Sequence, residues 1–457
     1  MLLRKVTYST EMSFIKPQYY LLSFLIFIAL NCSPDDSGNP QKQQPTTAIT
    51  TLGGSGNESA KSIVKTLDGG YAILGYTQSM DGDIIGKQNN SFDYWLLKFS
   101  GNHEIQWQKT YGGSDEDRGS DIIQTNDGGF AVIGFSKSSD GDVSTNSGLT
   151  DFWFTKLDAS GTIIWEKSFG FSGVDTGISC IQTKDNGFLL TGILDVTASG
   201  GDGNSKSFSA KRHAGGDFWV IKLDASGTKQ WSRYYGGTFT DTPNGIVQTQ
   251  DNGYIIIGFS DSSDVDILNN KGSYDFWVVK ISGTGSLIWE KSFGGSEIDE
   301  AWSIIDSGDE NYLIVGNTRS NDEDVSLNKG AADLWVIKIN NDGDLLWEKN
   351  LGGSSFDAGR SISKTQDNSF IISGNSRSVD GDLSSNKGQN DAWIVKIDAN
   401  GNLLWQKSIG GSGIDLTYDA IELNDNSIVA VGESNSSDQD IVGNKGFTDL
   451  LIVKIDE

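Results

Sequence analysis

Residues 112–165 read GGSDEDRGSDIIQTNDGGFAVIGFSKSSDGDVSTNSGLTDFWFTKLDASGTIIW, and the chain writes this sentence seven times with variations. Each copy opens with glycine, at 53, 112, 170, 236, 294, 352 and 410, doubled everywhere except at Gly170-Phe171. A β-branched run (Ile122-Ile123) leads to the turn Asp127-Gly128-Gly129, an apolar strand from Phe130 to Phe135, and a long polar loop. A hairpin ends the unit: strand Asp151 to Leu157, turn Asp158-Ala159-Ser160-Gly161, strand Thr162 to Phe169. Alternation, β-branched enrichment and Gly/Asp turns mark four short strands, and no helical period runs through them.

Twelve of the thirteen tryptophans keep the register. Trp95, Trp153, Trp219, Trp277, Trp335 and Trp393 form one series; Trp107, Trp165, Trp231, Trp289, Trp347 and Trp405 follow twelve residues behind. The step is 58 residues, except for one of 66 between the second and third members. A fixed period of this kind is a repeated supersecondary unit. Four antiparallel strands, seven times over, predict an all-β, seven-bladed β-propeller. The third strand agrees, because both its faces are apolar: in 217–224, Trp219, Ile221 and Leu223 alternate with Phe218 and Val220. Such a strand needs packing neighbours above and below, and stacked blades supply them. The tryptophans are therefore expected to be inter-blade core.

The two ends of the repeat array predict how the ring closes. Each second-series Trp lies five residues before the next glycine; five before Gly53 is Ala48, inside 47–52, a strand with no repeat ahead of it. The last repeat stops at Glu457, six residues short of its own Trp. The extra strand at the start fits the missing strand at the end, so 47–52 is expected to complete the seventh blade and leave no free edge. The predicted propeller runs over 47–457.

The pattern GGSxxD…I…T.DGG…(I/V)G.(S)xS resembles the bacterial seven-bladed propeller repeat abbreviated SBBP, over essentially all of 48–457. Asp158, Gly161 and Trp165 also resemble the tryptophan-docking motif of quinoprotein dehydrogenase propellers, with the Asp-to-Gly spacing one residue short. That resemblance implies packing, not quinone binding. A shared repeat supports fold and not activity.

The first 46 residues are of another kind. Lys16 precedes 19–30, an apolar stretch of a dozen residues, too short to span a bilayer and typical of a secretory signal core. Ala29-Leu30-Asn31-Cys32 resembles a bacterial lipobox, which makes 1–31 a lipoprotein signal peptide and Cys32 the expected lipidated (palmitate-bearing) N-terminus. Met12 as the start gives the more usual signal length. A Pro/Gln/Thr tether fills 32–46. Asp35-Asp36 after the cysteine resembles a surface-export signal, so an outer-membrane lipoprotein facing outward is expected, held to the membrane by its lipid anchor alone. With Cys32 lipidated, only Cys180 remains, in the register of Ile122, where a buried inert thiol is expected.

Without residues 1–46 the chain carries 31 basic and 58 acidic residues, a net charge of −27, which disfavours nucleic acid as a partner. Much of the acid is periodic. Asp-x-Asp pairs stand at 81/83, 140/142, 264/266, 322/324, 380/382 and 438/440. Five continue alike, as Asp140, Asp142, Asn146 and Asp151; Asp264, Asp266, Asn270 and Asp275; Asp322, Asp324, Asn328 and Asp333; Asp380, Asp382, Asn386 and Asp391; Asp438, Asp440, Asn444 and Asp449. A second acid stands in the opening loop, at Asp117, Asp175, Asp241, Asp299, Asp357 and Asp415, and strand order predicts that both series rim one face of the ring. Two readings stay open. These residues are turn formers whose side chains cap backbone N–H groups, or they are oxygen ligands for calcium, although the spacing lacks the EF-hand order.

Catalytic constellations are sparse. Only His103 and His213 exist, far apart, and one acid per blade does not single out an acid/base pair. The aromatics fall in strand registers, so no sugar-stacking platform is expected. The third repeat carries eight extra residues within 195–216, where Lys206, Lys211, Arg212 and His213 form a basic cluster, a candidate binding site or a tolerated insertion. The expected function is a surface-tethered, monomeric, non-catalytic propeller that binds a protein or polymer through its acidic loop face. The alternative is an extracellular polysaccharide lyase or hydrolase with its site at the central channel.

Overall fold

The computed structural model describes residues 46–204, 213–308 and 310–456. Cys32, the signal and nearly all of the tether, together with Lys206, Lys211 and Arg212, lie outside the described residues. Seven four-stranded antiparallel sheets form the ring, as predicted. In six of them the strands follow chain order; in the first blade, for example, they are Glu58–Lys65, Tyr71–Thr77, Asp93–Phe99 and Ile105–Tyr111. The only helix among the described residues is the single turn Val196–Ser199, within the enlarged loop of the third blade. None is long and apolar enough to cross a membrane.

Closure occurs where the repeat phase placed it. Thr46–Leu52 pairs antiparallel with Asp449–Asp456 and becomes the outer strand of the seventh blade. Ala48 faces Lys454, just as Trp405 faces Lys396 in the sixth blade, so Ala48 stands in the tryptophan register. Ile49 and Leu52 pack into the core on either side of this seam.

Third-strand tryptophans are buried to 2 % exposure or less, and those of the outer strands are half-buried. The latter pack across blades. A Cβ added to Gly161, Gly227, Gly285, Gly343 or Gly401 would lie about 3 Å from the indole of Trp107, Trp165, Trp231, Trp289 or Trp347 in the preceding blade. These glycines hold φ between 73° and 80°, so glycine serves both the left-handed turn and the close indole contact. At the seam the pair is Ala48 and His103 instead, with His103 at φ 64°. A cavity of about 400 Å³ remains there, lined by Ala48, Tyr71, Phe99, His103 and Lys454 among others.

Cys180 is buried, and burial pushes its thiol well above the usual range, as an inert core position requires. The second acid series is corrected by the fold. Asp117, Asp175, Asp241, Asp299, Asp357 and Asp415 begin, or directly precede, the innermost strands and are fully buried, so they do not rim the face. Asp117 illustrates the reason: its carboxylate accepts from Gly113 N (2.8 Å) and Ser138 Oγ (2.9 Å), tying the incoming loop to the segment that follows the second strand.

Candidate functional site

A glycine recurs in every second strand: Gly75, Gly134, Gly192, Gly258, Gly316, Gly374 and Gly432. An added Cβ would meet a first-strand carbonyl at 1.8–2.0 Å, as with Gly316 against Glu300 O at 1.9 Å. The first strand crowds its partner because it bulges there. In all seven blades the register slips at the same place, as between Ala60 and Ser62 or between Ala301 and Ser303. The skipped residue has no cross-strand partner, and a bulge re-aims its side chain. Those seven residues are Lys61, Ser120, Ile178, Asn244, Trp302, Arg360 and Tyr418, and all of them line one axial pocket of about 570 Å³. Each lies eight residues after the opening glycine of its repeat.

No two of the seven are alike. A ring whose core positions repeat closely thus carries seven different side chains at one position that lines the axial pocket. Four of them meet in two cation–aromatic pairs. Arg360 Cζ lies 3.9 Å from the Trp302 ring centre, and Trp302 Nε1 donates to Asn317 Oδ1 (3.0 Å). Lys61 Nζ lies 3.5 Å from the Tyr418 ring centre and 3.6 Å from Glu433 Oε2, while Tyr418 OH donates to Glu433 Oε1 (3.0 Å). Burial, partly offset by Glu433, lowers Lys61 to about 8. Arg118, from the adjacent register, covers Phe92 at 4.0 Å and pairs with Glu116 Oε1 at 2.6 Å. Glu116 belongs to the loop entering the blade, so this end of the pocket adjoins the loop face.

The next residue of each first strand forms a polar belt. Asp121 accepts from Ser62 Oγ and Ser179 Oγ (both 2.9 Å) and from Cys180 N (3.0 Å). Asp419 accepts from Ile63 N (2.9 Å), Ala420 N (2.9 Å) and the Ser361 hydroxyl. Burial raises both carboxyls, Asp419 to about 6. Their oxygens are spent on joining blades six, seven, one, two and three, which makes them architectural.

Four aromatic side chains line the channel: Trp302, the one tryptophan outside both series, with Tyr76, Phe135 and Tyr418. Asp121 and Asp419 stand where the other five blades carry Ser62, Ser179, Gly245, Ser303 and Ser361. The signals available in sequence were the off-register Trp302 and the second-strand glycine, which marks a bulge in the facing strand.

The Asp-x-Asp carboxylates sit in the loops of one face, each with its own backbone task, whereas Asp151, Asp275, Asp333, Asp391 and Asp449 begin third strands, are buried and do not rim that face. Ser114 N donates to Asp140 Oδ1 (2.8 Å), Gly112 N to Asp142 Oδ2 (3.2 Å) and Ser147 N to Asp151 Oδ2 (2.7 Å). Asn146 accepts from Gly148 N (2.9 Å) and donates to Ser136 O (3.1 Å). The same bonds recur at Asp264, Asn270, Asp322, Asn328, Asp380, Asn386, Asp438 and Asn444. Asp275, Asp333, Asp391 and Asp449 repeat the role of Asp151. Lysines bind the second carboxylate across blades: Lys271 to Asp324, Lys329 to Asp382, Lys387 to Asp440 and Lys445 to Asp83. Among the described residues no group of three or more His, Cys, Asp or Glu side chains is arranged to hold a metal ion. His213 takes the place of such a lysine. It is buried, with Nδ1 2.5 Å from Asp217 Oδ2 and Nε2 3.9 Å from Asp266 Oδ2, so it belongs to a blade junction.

No protein-family model matches the chain, and no curated protein matches it. Solved structures similar to it include a protein of unknown function from Bacteroides caccae (10 % identity, 61 % of this chain and 78 % of that one, TM-score 0.35). Sqt1 from Chaetomium thermophilum gives 10 % identity, 90 % and 100 % coverage and a TM-score of 0.43. The PQQ-bound aldose sugar dehydrogenase from Streptomyces coelicolor gives 8 %, 90 % and 99 %, and 0.36. Likeness this distant has no bearing on activity; the seven-bladed propeller itself stands on the strand pairing.

Proposed function

We propose that the protein is a surface-tethered lipoprotein whose propeller binds a ligand in its axial pocket. The supporting observation is that the bulge residues Lys61, Ser120, Ile178, Asn244, Trp302, Arg360 and Tyr418 abandon the repeat where the rest of the blade keeps it. Packing demands nothing of a residue that faces an open channel, so departure from the repeat is free to serve recognition. The acidic rim is the weaker candidate for the contact surface, because its carboxylates already cap loops and bind lysines. Anchoring rests on the lipobox-like sequence at Cys32: Cys32→Ser should release the protein from membranes with the propeller still folded.

The test is a glycan and small-molecule binding screen run on three proteins: wild type, Ser120→Trp to fill the channel, and Asp140→Asn/Asp142→Asn on the rim. Binding lost in the first variant and kept in the second supports the axial site; the reverse outcome returns the contact to the loop face. A second reading has one observation in its favour. Lys61, Tyr418 and Glu433 form a contiguous proton-transfer set, with Lys61 near neutrality, as a polysaccharide-active enzyme would need. Turnover of any polysaccharide that is lost in Tyr418→Phe would establish that alternative.

A further inference from the structure

Charge is distributed unevenly around the pocket. Arg360, Lys61 and Arg118 come from blades six, one and two, while the opposite arc presents Ile178 and Asn244 from blades three and four. Two of the three cations are already matched: Lys61 has Glu433 at 3.6 Å and Arg118 has Glu116 at 2.6 Å. Arg360 is not. Among the described residues no carboxylate lies within 4.0 Å of it, and its buried Nε has no hydrogen-bond partner. A guanidinium is costly to leave in that state, and its planar fork matches a carboxylate bidentately. The Trp302 ring, 3.9 Å from Cζ, supports the guanidinium by a cation–π contact before any ligand arrives.

We infer that the axial pocket takes a small monoanionic sugar acid, a uronate unit whose carboxylate docks on Arg360; this rests on the axial-pocket reading above. One unmatched positive charge selects a monoanion. A phosphate monoester brings nearly two negative charges and would need a second free cation, and the planar fork matches the two coplanar oxygens of a carboxylate better than a tetrahedral sulfate ester. The remaining volume is far larger than a carboxylate. Its walls mix hydroxyl and amide groups (Ser120, Asn244) with aromatic rings (Tyr76, Phe135), the mixture that suits a hydroxylated ring with an apolar face. Asn244 Nδ2 is spent on Ala301 O (2.7 Å), which leaves its carboxamide oxygen to accept from a sugar hydroxyl.

The experiment is isothermal titration of the whole propeller with glucuronate, a diglucuronate, methyl glucoside, benzoate and inorganic phosphate. Glucuronate or the diglucuronate should bind at least tenfold more tightly than methyl glucoside and phosphate. The two uronate probes separate a free sugar acid from the end of an acidic polysaccharide. Arg360→Gln should weaken uronate binding at least tenfold, and Arg360→Lys should restore part of it. Trp302→Leu should weaken it while leaving selectivity for the anion. Circular dichroism melts verify that each variant is folded. If benzoate binds as well as glucuronate, or Arg360→Gln changes nothing while Ser120→Trp still abolishes binding, the sugar-acid assignment is wrong and the axial site stands. If binding survives Ser120→Trp, or no probe binds wild type, the inference is overturned, and in the first case the axial site falls with it.

Discussion

A single backbone atom explains the most repeated glycine of this protein. Gly316 and its six equivalents accept the carbonyl of a bulged strand at a distance no side chain tolerates. Gly316→Ala should therefore cost about 2–4 kcal/mol, because relief requires the bulge itself to move. Gly128→Ala is the control: no atom lies within 4 Å of its Cβ position, but φ is 80°, so about 1 kcal/mol is expected from strain alone. Urea unfolding of the two variants measures the difference. The loop aspartates behave as residues with an assigned backbone partner. Calcium at millimolar levels should thus raise the melting temperature no more than magnesium at matched ionic strength, and calorimetry should detect no calcium sites. A calcium-specific rise that Asp140→Asn/Asp142→Asn reduces would restore the chelation reading.

At the level of the element, the seam strand 46–52 does the work of an outer strand without its tryptophan. Deleting 47–52 should lower the melting temperature far more than deleting 33–45, since the first exposes the edge of 449–456 and uncovers Ile49 and Leu52 contacts. The cavity beside it invites the residue the other blades use. Ala48→Trp combined with His103→Gly recreates the indole-on-glycine contact seen at Trp107 and Gly161, and relieves the left-handed His103. About 1–2 kcal/mol of stabilisation is expected, read as a rise in the denaturation midpoint. Ala48→Trp alone should gain less, because the His103 side chain occupies part of the space.

Across the whole molecule, acids buried at blade junctions set the response to pH. Burial raises Asp93, Asp175, Asp217 and Asp333 to about 6 and Asp275 to about 7. A carboxyl whose folded value is raised binds more protons in the folded state, so stability falls as pH climbs from the unfolded value near 4 through 6 to 7. The turn acids act in the other direction. The Thr249 hydroxyl, against the opposing effect of burial and with Lys280 and Gly253 N, holds Asp251 at about 2, and its contribution is lost as pH falls from 4 toward 2. The melting temperature should therefore peak near pH 4 and decline by several degrees toward pH 7.5. A flat or rising profile between pH 5 and 7.5 would show that the junction acids are ionised without cost.

The chain's periodicity alone determines the blade count, the strand order, the closing strand and the burial of both tryptophan series. Each of these follows from a local rule applied seven times: turn residues, alternation, and phase counted from a glycine. The same counting finds the loop aspartates and the face they occupy. It does not find the axial pocket. Within a strand the side-chain period is two, and one bulged residue reverses the phase beyond it, so a reading by alternation assigns Lys61, Trp302, Arg360 and Tyr418 to no particular face. Only the tertiary structure shows that these residues, some sixty positions apart in sequence, converge on one axis. Convergence of that kind depends on how seven sheets are arranged around the ring, which no single repeat encodes.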